Sequence, residues 1–164
     1  MSAVTVTTTE RELTFRRTFR TTRAALFRAF TTPELLARWW GPPGWPMASC
    51  TLDLRQGGRW HYSLRAADGR EHWALAEYRE VREPERIRYV ERSSDPAGRI
   101  TDEMPPALTT VTFTEDGPLA TLTSHVAFPH IAARDRMVRR GMVDGFSSAL
   151  DQLHDLLEEQ PWRP

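Results

Sequence analysis

The side chains able to do chemistry in this chain are few, and their spacing narrows what that chemistry could be. Its one cysteine, Cys50, lies on the apolar phase of a strand pattern with Leu52 and Leu54. It reads as a small core residue rather than a nucleophile, and nothing beside it in sequence would lower its pKa. A single cysteine also excludes an internal disulfide and any cysteine-based metal cluster. The five histidines, His61, His72, His125, His130 and His154, have neither HxH nor HExxH spacing, so no metal site is expected. No GxSxG, phosphate-binding loop or dinucleotide fingerprint occurs. For acid–base work there remains His72, paired with Tyr62 or Tyr78, because His72 shares a strand phase with Ala74, Ala76 and Tyr78. No catalytic residue stands out and no cofactor is expected.

The aromatic residues say more. Trp60, Tyr62, Tyr78 and Tyr89 all fall on the inward phase of their strand patterns. Ordinary core packing would account for them. Two details favour something else: Ala74 and Ala76 are small residues on the same face, and Gly141 and Gly145 are small residues in the C-terminal helical segment. Small residues facing each other leave volume, and tyrosine hydroxyls could orient a ligand in an apolar cleft. A filled core and a ligand cavity both remain open. On the cavity reading, the binding residues are Trp60, Tyr62, His72, Tyr78, Tyr89 and Phe113 from the sheet, with Met142, Gly145 and Phe146 from the helix. The stretch RWWGPPGWPMASC, Arg38 to Cys50, adds Trp39, Trp40 and Trp45 around a Gly-Pro-Pro-Gly corner. It reads as a packing hinge ahead of a ligand contact, with a partner-binding patch third.

These residues need elements to position them. Thr5 to Phe19 reads as one long strand, rich in Thr, Val and Phe. Two short helices follow. Thr22 can cap the first, which carries Ala25, Leu26, Ala29 and Phe30 at helical spacing. Thr32 can cap the second, with Pro33 at its first position and Gly41 then Pro42-Pro43 as its stop. The period then changes from 3.6 to 2, in strands around Cys50 to Leu54, Trp60 to Leu64, residues 71 to 81 and Ile87 to Tyr89. Ser93 to Ala107 has no period and reads as a flap near a cavity entrance. Strands around Val111 and Phe113 and from Ala120 to Phe128 complete the meander. One long helix, about Ala132 to Glu159, places Val138, Met142, Phe146, Leu150, Leu153 and Leu157 on one apolar stripe. The expected class is α+β, a single domain over 1–164.

Composition sets the outer limits. Lys plus Arg and Asp plus Glu each number 22, so no global field draws the chain to nucleic acid or an anionic surface. No run approaches the ~18 apolar residues of a membrane span, and the N-terminus lacks an apolar leader core. A soluble cytoplasmic protein is the expectation; its oligomeric state, monomer or homodimer, stays open.

The element order, with RWWGPPGW, DLRQGGRWHYSLRAADGREH, YREVREPERIRYVE and GMVDGFSSALDQLHDLL, resembles one known family. The chain is similar to bacterial homologues of the activator of the 90-kDa heat-shock protein's ATPase, within the START-related (SRPBCC) ligand-binding superfamily. The resemblance runs from Phe15 to Leu157 and implies a helix-grip fold: a curved antiparallel sheet of six or seven strands around the C-terminal helix, with a cavity between. The inward aromatics and small residues, placed in such a fold, read as a non-enzymatic binding protein for a small hydrophobic or amphipathic ligand. A co-chaperone-like partner of the 90-kDa chaperone is the alternative, although the eukaryotic co-chaperone has an N-terminal domain for which this chain has no room. A cyclase or hydrolase using the same cavity is a further one. Where this chain has Glu91 the family often carries an aromatic, which implies a more polar cavity wall here.

Overall fold

Period-2 alternation along the middle of the chain produces the expected meander, and the ends are where the structure departs from the pattern. The computed structural model describes residues 3–159. Its strands are β1 Thr5–Thr9, β2 Glu12–Phe19, β3 Met47–Leu52, β4 Arg59–Arg65, β5 Glu71–Arg82, β6 Arg86–Ser93, β7 Ala107–Asp116 and β8 Leu119–Ala127. All pair antiparallel in one sheet of order β1-β2-β8-β7-β6-β5-β4-β3. Helices α1 Arg23–Thr31 and α2 Pro33–Trp39 lie between β2 and β3, and α3 Ile131–Arg139 and α4 Met142–Glu159 follow β8. This is an α+β helix-grip fold.

The single strand expected over Thr5 to Phe19 is a hairpin. β1 folds back on β2 with Thr9 opposite Glu12, so Glu10 and Arg11 form a two-residue turn. Without a glycine or proline there, the turn carries none of the usual markers, and the sheet has eight strands rather than six or seven. β2 then shows strict alternation: Leu13, Phe15, Arg17 and Phe19 are buried on the concave face.

The expected single C-terminal helix is also two. Arg140 ends α3, and Gly141 sits at φ +90, where a side chain is strained, with its N–H donating to Val138 O at 3.0 Å. The break resets the helical phase. Val138, placed on the apolar stripe by spacing, is 41% exposed, whereas Leu150, Leu153 and Leu157 of α4 are buried against the sheet and α2.

The short helices cover the other end of the sheet. Thr22 Oγ1 accepts from Ala25 N at 3.0 Å and caps α1 as expected. Thr32 makes no side-chain cap on α2; its carbonyl accepts from Leu36 N at 2.8 Å, and Pro33 starts the helix. Phe27 and Phe30 of α1 pack edge-on against Phe113 of β7, so this end of the concave face is filled. Gln152 of α4 donates to the carbonyls of Trp39 (2.9 Å) and Gly41 (2.8 Å), tying α4 to the end of α2.

Ser93 to Ala107 is less open than its composition implies. Asp95 Oδ1 accepts from the backbone of Ala97 and Arg99, and Ser93 Oγ accepts from Thr101 Oγ1 and Met104 N. Ser93 and Ser94 are buried. Two polar side chains thus organise a stretch without hydrophobic period.

Candidate functional site

Between the uncovered half of the concave face and α4 lies a cavity of about 590 Å³. Its floor is the inward phase of four strands: Tyr62 and Leu64 of β4, Tyr89 of β6, Thr109 of β7, and Ser124 and Val126 of β8. Met142, Gly145, Phe146 and Ala149, spaced at three to four residues along α4, form the facing wall. The third side comes from the chain after α2. Gly41 takes φ +98, a conformation that suits glycine, and a Cβ there would stand 2.5 Å from Trp45 O. This corner carries Trp40, Pro42 and Trp45 into the cavity wall.

The three neighbouring tryptophans therefore have two jobs. Trp39 is buried, its indole N–H donating to Ala29 O at 2.9 Å, and it packs edge-on against Phe30. Trp40, one residue on and so on a different face, meets Trp60, Tyr62 and Phe146 edge-on with centroids 4.9, 6.1 and 5.8 Å apart. Trp45 lies at the rim beneath the Arg70 guanidinium, 5.2 Å from its ring centroid.

Inside this aromatic wall stands one carboxyl group. Glu91 follows Tyr89 by two residues on β6 and so shares its inward phase. Its cross-strand neighbours are Ala76 of β5 and Ala107 of β7, both too small to cover it. Tyr62 Oη donates to Glu91 Oε1 at 3.1 Å. Burial pushes the Glu91 carboxyl up to about 7, the Tyr62 hydrogen bond acting weakly the other way. Burial, and then the nearby Glu91 carboxyl, hold the Tyr62 and Tyr89 phenols well above their usual range, so both are neutral hydrogen-bonding groups.

Charges of both signs gather at the mouth, where Arg70, Glu103 and Arg140 are exposed. Arg140 Nη1 donates to Glu103 O at 3.2 Å, and Arg136 donates to the same carbonyl, so α3 holds the end of the 93–107 loop. His72 lies on this side. Burial lowers its pKa, with Glu103 opposing that and Arg140 adding to it.

Of the residues singled out by spacing, Tyr62, His72, Tyr89, Met142, Gly145 and Phe146 line the cavity. Trp60, Tyr78 and Phe113 do not: they are buried in the core at 0%, 1% and 1% exposure. Their inward phase is correct, but α1 and its phenylalanines fill that end of the sheet. The Tyr62 hydroxyl, one of the two expected as a partner of His72, donates to Glu91 instead. Thr109, Ser124, Glu103 and Arg140 also line the cavity and were not singled out by the sequence, whereas Trp40 was expected first as hinge packing and Glu91 as a more polar stretch of wall. Strand phase could have found two of these: Thr109 shares the inward phase of Val111, and Ser124 that of Leu122. Glu103 and Arg140 come from a loop and a helix end that carry no period.

The other candidates have structural partners. His61 contacts Ser94 Oγ and Asp95 O, both at 3.2 Å; His125 pairs with Glu12 at 3.1 Å; His130 Nδ1 caps α3 through Ala133 N; His154 lies beside Asp155 and Glu158. Burial pushes the Cys50 thiol up, away from a reactive thiolate. Among the described residues no three His, Cys, Asp or Glu side chains gather as a metal site, and no helix is long and apolar enough to cross a membrane.

The sequence model of one family, described as activator of Hsp90 ATPase homolog 1-like protein, matches residues 20–158. The chain belongs to that family. Several solved bacterial structures are similar to this family member over nearly their whole length. A protein from Mycobacterium smegmatis, Ms6760, is 26% identical with a TM-score of 0.86, covering 98% of this chain and 99% of its own. One from Staphylococcus epidermidis is 27% identical with a TM-score of 0.81, covering 98% and 97%. One from Arthrobacter aurescens, at 22% identity, 98% and 94% coverage and a TM-score of 0.90, shares the fold. No curated protein matches the sequence at a significant level.

Proposed function

We propose that this family member is a non-enzymatic binding protein for a small hydrophobic or amphipathic ligand held between the sheet and α4. The observation that carries this reading is the cavity itself. About 590 Å³ lies within the size range of small-molecule sites, and the walls are aromatic and apolar around a few convergent polar groups. A native core of this size would be close-packed, so open volume beside five aromatic rings is a feature to be explained. Tyr62, Tyr89, Met142, Gly145 and Phe146 are assigned to the binding surface, with His72 at its mouth. Trp40 forms part of the wall and reports occupancy. A panel of lipophilic compounds should quench or shift tryptophan emission and raise Tm, since a ligand that binds only the folded state stabilises it by RT ln(1 + [L]/Kd). A panel that moves neither signal sinks the reading.

The family's name supports a second reading, a co-chaperone-like role toward a 90-kDa heat-shock chaperone. It is tested separately, by adding the protein to such a chaperone and measuring ATP hydrolysis. Stimulation without any response to lipophilic compounds would favour it over the cavity reading.

A further inference from the structure

Among the described residues, Glu91 presents a carboxyl group to the cavity with one hydrogen-bond partner and no counter-ion. Tyr62 occupies Oε1, and among the described residues no salt bridge involves Glu91. The chain contains no lysine, and the arginine on the concave face, Arg17, is committed to Asp151 of α4. Tyr62 of β4 and Ala76 of β5 adjoin Glu91. The groups that line the cavity around it inside the mouth are neutral: Tyr89 from β6, Thr109 from β7, Ser124 from β8, and Met142 and Phe146 from α4. Arg70, Arg140, Glu103 and His72 sit at the mouth. The shift of His72 registers Glu103 and Arg140, whereas that of Glu91 registers only burial and Tyr62. An acid enclosed in this way is costly to ionise unless something brings it a positive charge.

We propose that the cavity selects an amphipathic organic amine, its ammonium group paired with Glu91 and its apolar body held against Trp40, Tyr89, Met142 and Phe146. The assignment rests on the cavity reading above and specifies its ligand class. An ammonium donor supplies what the site lacks, because charge-assisted hydrogen bonds are about twice as strong as neutral ones. Glu91 Oε2 is the acceptor left over after Tyr62 has taken Oε1. The rings of Trp40, Tyr62 and Tyr89 offer π-faces, which attract a cation and give nothing to a carboxylate. A ligand acid would instead meet a like charge in low dielectric.

The test uses three probes that share one ring system and differ in their head group: naphthylethylamine, naphthylethanol and naphthylacetate. Calorimetric titration at about pH 8 keeps the amine protonated and Glu91 largely ionised. The amine is expected to bind the native protein at least about tenfold more tightly than the alcohol, and the acid at least about tenfold more weakly. Glu91→Gln, which keeps the shape and an acceptor for Tyr62, should bring the amine to the affinity of the alcohol and leave the alcohol within about twofold. An amine no tighter than the alcohol in the native protein, or one that keeps its advantage in Glu91→Gln, overturns the amine assignment while the bound alcohol leaves the cavity reading intact. Failure of all three probes to bind the native protein overturns both. The native protein alone decides between these outcomes if the variant does not fold.

Discussion

Glu91 shows how one residue can set a property of the whole fold. Its carboxyl titrates near 7 in the folded state because burial penalises the anion, against about 4.3 in an unfolded chain. Between those values the folded state holds the extra proton, so stability falls as pH rises through the window. The contribution is complete below about 4.5 and lost above about 7, and the difference is on the order of 3 kcal/mol. His72 acts in the opposite direction: its lowered pKa means that the fold favours the neutral ring, and its contribution is lost as pH falls. Tyr62 and Tyr89 stay neutral throughout. Comparing native protein with Glu91→Gln cancels these common terms. Urea unfolding at a series of pH values should show the variant gaining on the native protein by that amount between acid and mildly alkaline solution. Parallel profiles would mean that Glu91 is hydrated. The site was legible in the sequence only in part. Strand phase pointed Tyr62, His72 and Tyr89 inward, but phase alone could not tell which end of the sheet α1 would fill, and so it also nominated Trp60, Tyr78 and Phe113.

Among the elements, the two glycines of the C-terminal segment separate cleanly, although spacing alone grouped them. Gly145 is helical and a Cβ there would meet Pro42 at 3.6 Å, an ordinary contact. Gly145→Ala should therefore stabilise by about 0.5–1 kcal/mol, the usual gain from removing a helix-interior glycine. Gly145→Leu would project into the cavity and should weaken binding of lipophilic probes. Gly141 has open space around it but φ +90, so Gly141→Ala should cost about 1–2 kcal/mol from backbone strain alone. Thermal melts of the three variants read all of this, and a destabilised Gly145→Ala would show the wall to be closer-packed than its geometry. The 93–107 loop is a second case. Ser93→Ala removes the acceptor of Met104 N, so hydrogen exchange at that amide should accelerate while the paired strands β6 and β7 hold. Unchanged exchange would place the anchor elsewhere. Meander strands and helix positions were readable from period and turn residues. The Glu10-Arg11 turn and the helix break were not, because one lacks turn residues and the other lies inside an unbroken helical pattern.

At the scale of the whole molecule, α4 is asked to be two things along its length. Its C-terminal half is core: Leu150 and Leu153 are fully buried, and the Arg17–Asp151 ion pair and Gln152 hold this half to β2 and to the end of α2. The N-terminal half faces open volume, and Met142 and Phe146 there are only partly buried. Core and cavity are therefore energetically distinct regions of one helix. Leu150→Ala should cost about 2–5 kcal/mol, since it adds a void to a packed region. Met142→Ala merely enlarges a space that already exists, so no new void needs to be created and the loss should be about 1 kcal/mol or less. Probe binding should respond in reverse, weakened by Met142→Ala and little changed, per folded molecule, by Leu150→Ala. Urea unfolding and calorimetric titration of the two variants measure both quantities. Equal losses of stability would show that α4 is packed uniformly and that the volume beside Met142 closes in solution. A loss within about 0.5 kcal/mol for Leu150→Ala would remove α4 from the core altogether.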